Sequence, residues 1–129
     1  MPDQSNVDVL KSAYGAFQSG DIPGVMAALD PDVRMHAPDV LPHGGDFDGH
    51  DGAGRFFAGI GEKWDGLAVE AQDIVADGER VVVIGRASGR LRGEGDDVAY
   101  GFVHAWTMRD GRAVRFDEYV DPAELLATA

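Results

Sequence analysis

Four long strands in series dominate the second half of the chain. "LAVEAQDIVA" (67–76), "RVVVIGRASGRLR" (80–92), "DVAYGFVHAWTM" (97–108) and "RAVRFDEYV" (112–120) alternate apolar with polar residues or run β-branched, the pattern of half-buried strands. The turns "ADGE", "GEGD" and "RDGR" between them are too short for a crossover, so consecutive strands pair antiparallel as a meander. Such a sheet needs partners for the face it buries, and the first half of the chain supplies them.

Val7, Leu10, Tyr14 and Phe17 fall at helical spacing, with Ser5 or Asn6 as the N-cap and Gly20 as the stop. "IPGVMAALD" reads as a short second helix with Pro23 in its first turn, and Val33–Ala37 as a strand stopped by Pro38. Residues 38–50, rich in Gly, Pro and Asp, form the longest loop, and long loops in compact domains are more often functional than idle. A third helix covers 51–64, with Phe56, Phe57 and Ile60 as its apolar side. "DPAELLA" closes the chain as a short helix capped by Asp121. Helix, helix, strand, helix and four strands make one α+β domain over residues 1–129. Its curved antiparallel or mixed sheet wraps the N-terminal helices as a conical barrel, a cystatin-like α+β roll. A cone has an open end, where a small ligand would sit.

Composition narrows the function. The 129 residues are 44% apolar, enough for one core, and no apolar run approaches the length of a membrane span. The net charge of −12 repels phosphate backbones and anionic membranes, which argues against nucleic acid and membrane partners. Asp outnumbers Glu 17 to 6 and Arg outnumbers Lys 9 to 2, a bias that either a GC-rich genome or a high-salt cytoplasm would produce. With no Cys there are no disulfides, thiolate metal sites or Cys nucleophile. That count and the acidic "MPDQSNVDVL" start point to the cytoplasm.

The last hairpin, "FVHAWTMRDGRAVRFDEYVD" (102–121), carries the candidate chemistry. Its even positions, Phe102, His104, Trp106, Met108, Val114, Phe116, Glu118 and Val120, form a mostly apolar face broken by one base and one acid. A three-residue loop, Arg109-Asp110-Gly111, places Met108 opposite Arg112, His104 opposite Phe116 and Phe102 opposite Glu118. His104 and Glu118 are then diagonal neighbours, roughly 7–8 Å apart at the backbone. A two-residue Asp-Gly turn would instead send Glu118 to the other face. An acid and an imidazole in an apolar cavity tune each other, and such a pair can move a proton near neutral pH.

The element order, with "AYGAFQSGDIPGVMAALDPDVRMHAP", "LPHGGDFDGHDGAGRFFAGI" and "HAWTMRDGRAVRFDEYVDPAELL", resembles the SnoaL-like, ketosteroid-isomerase-like branch of the nuclear-transport-factor-2-like superfamily over nearly the whole chain. The resemblance implies a conical barrel, commonly a homodimer through the sheet's outer face, and leaves the reaction open, since the fold hosts many. The ketosteroid isomerase base falls on Ala37 before Pro38, with Asp39 beyond the Pro. The isomerase's Tyr falls on Ala13, one position before Tyr14, and its protonated Asp falls on His104. The Asp of SnoaL-like cyclases falls nearest Glu118 or Asp121. For the family's epoxide hydrolases, Arg86 is the matching cation.

Two function classes stay open. One is cofactor-independent acid/base catalysis (isomerase, cyclase or hydrolase type) on an apolar carbonyl-bearing molecule, with His104 as the proton-transfer group, Glu118 as its partner and Tyr14 or Asp121 as auxiliary. The other is a non-catalytic ligand-binding or dimeric interaction module. In either, Phe17, Met35, Phe56 and Phe57 line the cavity from the first half of the chain. Tyr100, Phe102, Trp106, Phe116 and Val120 line it from the last two strands. His36, His43 and His50 stand near Asp39, Asp46, Asp48 and Asp51 without the compact spacing of a metal motif, so no metal and no cofactor are expected.

Overall fold

The computed structural model describes residues 2–93, 95 and 97–127. In order, the elements are α1 (Pro2–Gln18), α2 (Ile22–Met26), β1 (Leu29–Ala37), β2 (Gly45–Asp48), α3 (Gly49–Lys63), β3 (Trp64–Asp77), β4 (Arg80–Leu91), β5 (Asp97–Arg109), β6 (Arg112–Val120) and α4 (Pro122–Ala127). Strands β3 to β6 form the expected antiparallel meander. β6 then pairs in parallel with β1, which pairs antiparallel with β2, giving the order β2-β1-β6-β5-β4-β3. The sheet is therefore mixed and strongly curved, and it stays unclosed, with β2 and β3 as its edges.

β2 lies inside what the sequence reads as loop. Its four residues, Gly45 to Asp48, carry no apolar run, and it exists by pairing with β1, where His36 sits opposite Asp46. Helix α1 begins at Pro2, so Asn6 is an interior residue rather than a cap. Its buried side chain donates to the Gly78 carbonyl at 3.1 Å, docking the helix on the β3–β4 turn. Leu10 and Ala13 follow on the same buried face.

The β5–β6 hairpin also differs from expectation. Arg109 pairs with Arg112 across a two-residue turn, with Asp110 at φ 54° and Gly111 at φ 78°. Positive φ at both positions matches the right-handed twist of the flanking strands. Alone, that turn would turn Glu118 outward. A register shift restores it: Met108 faces Ala113 and Thr107 faces Arg115, leaving Val114 as an extra residue. Ala113, Phe116 and Glu118 are buried, while Arg112 is exposed and Val114 only half-buried. His104 and Glu118 thus stand directly opposite each other, not diagonally, with Trp106 opposite Phe116 and Phe102 opposite Val120.

The curvature that makes the cavity is built into β3 and β4. β3 slips register between Asp65 and Ala68 and again between Ala71 and Asp73. Gly85 stands opposite Ala71, where a Cβ would overlap the Glu70 carbonyl oxygen and press on the Phe102 ring. Glycine is the residue that lets the two strands approach at this bend. Gly85→Ala is expected to lower the unfolding free energy by about 1–3 kcal/mol in urea titration, as overpacking does. An unchanged midpoint would show that the backbone there has room.

Candidate active site

The concave side of the sheet and helices α1 to α3 enclose an apolar cavity that opens to solvent. About 70 Å³ of it is open to the centre of a water-sized sphere, several times what one water needs. Alternation along β5 points Tyr100, Phe102, His104 and Trp106 into it, and β6 adds Phe116 and Glu118. Tyr14 and Phe17 enter from α1, Phe56 and Phe57 from α3 and Met35 from β1. Val120 is only partly buried and does not line the cavity.

The polar groups form one chain. Trp106 Nε1 donates to the Tyr14 hydroxyl at 3.0 Å, that hydroxyl meets His104 Nδ1 at 2.5 Å, and His104 Nε2 meets Glu118 Oε2 at 3.0 Å. An indole N–H only donates, so the Tyr14 oxygen accepts it. With Glu118 as the carboxylate and His104 as the neutral imidazole, Nε2 gives its hydrogen to Glu118, Nδ1 is bare, and the phenol donates to it. The His104 ring is clamped, stacked on Phe102 with centroids 3.9 Å apart and met edge-on by Phe116 at 4.9 Å. Removing the Tyr14 hydroxyl would strand two buried groups, and each unmet partner costs about 1–3 kcal/mol. His104 and Glu118 are 7% and 5% exposed, a pair nearly withdrawn from water yet lining the cavity.

Burial pushes the Tyr14 phenol up, against the pull of the Trp106 hydrogen bond, and the Glu118 charge raises it further. It therefore stays protonated and serves as a donor. Both nitrogens of His104 are committed, whereas Glu118 has one oxygen, Oε1, without a partner among the described residues. The carboxyl oxygen left over by the chain, Oε1, therefore belongs to Glu118, which lines the cavity.

The remaining candidates fall elsewhere. Asp121 is exposed and accepts from the Ala123 N–H at 3.0 Å, capping α4 outside the cavity. Arg86 shares a face with Val82 and Ile84, but it is the outer face, where Arg86 pairs with Glu124 at 3.1 Å. The loop histidines disperse. His36 pairs with Asp46 at 2.6 Å on the surface, His50 meets the Leu29 carbonyl at 2.9 Å, and only His43 turns inward. No three His, Asp or Glu residues among those described gather as a metal site.

His43 is the site residue that sequence reasoning missed. Two successive turns, Leu41 N–H to Pro38 O and Gly44 N–H to Leu41 O, both 3.0 Å, carry it into the core, where Trp64 Nε1 donates to its Nδ1 at 3.0 Å. Burial pushes its pKa below the ordinary value. The Glu118 charge opposes the shift and His104 reinforces it.

The fold has counterparts in known proteins. The sequence profile of the SnoaL-like domain matches residues 10–116. The chain belongs to the SnoaL-like family. A nuclear-transport-factor-2-like protein of unknown function from Burkholderia pseudomallei superposes with a TM-score of 0.87 at 34% identity, over 96% of each chain. TerC, crystallised with polyporic acid, superposes at 0.86 with 29% identity over 96% of this chain and 97% of its own. IdmH, a proposed polyketide cyclase from Streptomyces antibioticus, superposes at 0.78 with 25% identity over 95% and 96%. No curated protein matches the sequence. Among the described residues no helix is long and apolar enough to cross a membrane.

The depressed His43 pKa has a consequence for stability. Below its ordinary pKa of about 6.5, the unfolded chain binds a proton that folded His43 resists, so stability is full above that value and falls as pH drops toward the folded pKa. His43→Gln removes this term. Between pH 7 and pH 5 its melting temperature is expected to fall less than that of wild type, and parallel curves would show that His43 protonates freely in the fold.

Proposed function

We propose that this SnoaL-like protein binds a small, apolar, carbonyl-bearing molecule in the cone and removes a proton from the carbon next to the carbonyl. The observation that carries this is the orientation of the Trp106–Tyr14–His104–Glu118 chain, which ends on a carboxylate oxygen facing an apolar cavity. Glu118 Oε1 takes the proton. The C–H electron pair becomes a C=C bond, and the carbonyl π pair moves onto oxygen. Return of the proton at another carbon is an isomerisation, and attack of the enolate on a second carbonyl is a ring closure, so one site serves either outcome. His104, Tyr14 and Trp106 act through Glu118 by fixing its position, which is what general-base catalysis needs. The polyketide cyclase activity proposed for IdmH, in which ring closure runs through an enolate, suits this substrate class. The absence of Cys suits a cytoplasmic setting.

The competing reading, a binding module without chemistry, draws on Ala37, which stands where the isomerases carry their base. Deuterium exchange into 2-tetralone, followed by proton NMR, separates the two. Wild type is expected to accelerate exchange and Glu118→Gln to lose about 10²–10⁴ of the acceleration, the usual worth of a positioned base. Equal melting-temperature gains with 2-tetralone in both proteins, without exchange in either, would favour the module.

We also propose a homodimer through the outer face. Ile84, Val103 and Tyr119 are consecutive cross-strand neighbours there, and Tyr119 is 59% exposed. A contiguous apolar row on a sheet face marks an association surface. Sedimentation of wild type should give twice the chain mass and Tyr119→Lys the single mass, while an already monomeric wild type would exclude the dimer.

A further inference from the structure

Within the Trp106–Tyr14–His104–Glu118 chain every polar hydrogen is spent. Two polar side chains of the cavity wall remain outside it, His43 and Tyr100. Nδ1 of His43 accepts the Trp64 indole N–H and so carries no hydrogen of its own. Burial keeps the imidazole neutral, which leaves its one hydrogen on Nε2. The tautomer is fixed from behind by an indole, as a carbonyl or carboxylate fixes it in other sites. Tyr100 is buried and keeps its proton, held there by burial and by the Glu118 charge. Neither His43 Nε2 nor the Tyr100 hydroxyl has a hydrogen-bond partner among the described residues, and neither is sealed in the core, so both open on the cavity. Both rings flank the same indole, with centroids 6.2 Å and 6.3 Å from Trp64. Two neutral donors therefore flank one ring in a wall that, outside the Trp106–Tyr14–His104–Glu118 chain, is apolar, and both feel the Glu118 charge.

A core with no ligand to satisfy would have little use for such donors: a phenylalanine fills the Tyr100 position without leaving an O–H to satisfy, and His43 needs only its bare Nδ1 to receive the Trp64 indole, which leaves Nε2–H over. We propose that His43 Nε2–H, with the Tyr100 hydroxyl, is the donor site for the ligand's carbonyl oxygen, and that it selects a neutral ketone over a carboxylate. This rests on the enolisation reading of the same cavity. When Glu118 Oε1 takes the α-proton, the C–H pair forms C=C and the π pair settles on the carbonyl oxygen. That oxygen stays hydrogen-bonded to Nε2–H and to Oη–H, and neither donor gives up its proton. Glu118 returns its proton to carbon to close the cycle, with no other reactant. Preorganised donors aimed at a developing oxyanion are the strongest device of this kind available to a protein. Selection for charge follows from the wall. Among the described residues it holds no Lys or Arg, it carries the Glu118 carboxylate, and the chain around it has a net charge of −12. An anion would meet donors but no countercharge.

Long-range ¹H–¹⁵N NMR of the full chain tests this, with the His43 signals assigned by their loss in His43→Gln. The expected pattern is a bare Nδ1 and a protonated Nε2. Addition of 2-tetralone is expected to move the Nε2 signal, and 2-naphthoate at the same concentration to leave it in place. A protonated Nδ1, an Nε2 indifferent to the ketone, or an equal response to the carboxylate would each overturn the proposal. In the exchange assay His43→Phe is expected to lose about a hundredfold with Glu118 intact, the scale of one oxyanion donor, and Tyr100→Phe a smaller factor. If His43→Phe does not fold, Trp64→Phe keeps the imidazole but frees its tautomer. Nδ1–H should then appear and exchange should slow, and unchanged exchange with a mixed tautomer would count against the donor. The two readings fail separately. Exchange that is absent, or indifferent to Glu118→Gln, removes the base. Glu118-dependent exchange with an unresponsive His43 removes only the donor.

Discussion

A carboxylate inside an apolar cone is tolerable only if its partners come with it, and the site depends on that requirement. Glu118 meets His104 because the two are opposite each other on neighbouring strands. His104 holds its ring against Tyr14, and Tyr14 is in turn held by Trp106. Each member is buried enough that losing its neighbour would leave a stranded donor or acceptor. The chain thus ties α1 to the last hairpin by polar contacts as well as by packing. It also leaves one Glu118 oxygen, Oε1, without a partner among the described residues.

The cross-strand pairing depends on two local irregularities that cancel. A two-residue turn shifts β6 by one position, and the extra residue at Val114 shifts it back. Either alone would put Glu118 outside and Arg115 or Tyr119 inside. The pair of irregularities also adds twist to the hairpin, which suits a sheet that must curl around helices.

The alternation of β4 to β6 and the helical spacing of Leu10, Tyr14 and Phe17 were legible because each residue's burial follows from its local period. The inward face and the pairing of His104 with Glu118 could be read there, though the turn that aligns them could not. "RDGR" fits two loop lengths, and only the contacts of Ala113 and Phe116 decide between them. What stayed illegible is set by distant contacts. β2 is a strand because β1 lies beside it. Asn6 looks like a cap in sequence, and it is buried because the Gly78 carbonyl waits beyond the end of β3. His43 resembles the other histidines of its stretch, and its inward course depends on the turns at Pro38 and Leu41 and on an indole twenty-one positions away. Tyr14 reaches His104 although the family's equivalent slot is one residue earlier, since Ala13 and Tyr14 both border the cavity and the longer side chain spans the offset.

The parallel pairing of β1 with β6 joins segments from opposite ends of the chain, Leu29 with Ala113 and Met35 with Phe116. Closing so long a loop is a non-local step, whereas the β3–β6 meander is assembled from neighbours. The acid and its imidazole belong to that local part, and the phenol and the second imidazole belong to the part that must travel. Neighbouring strands thus set the acid against its imidazole, and the imidazole's second hydrogen bond is completed only when α1, from the other end of the chain, docks its phenol.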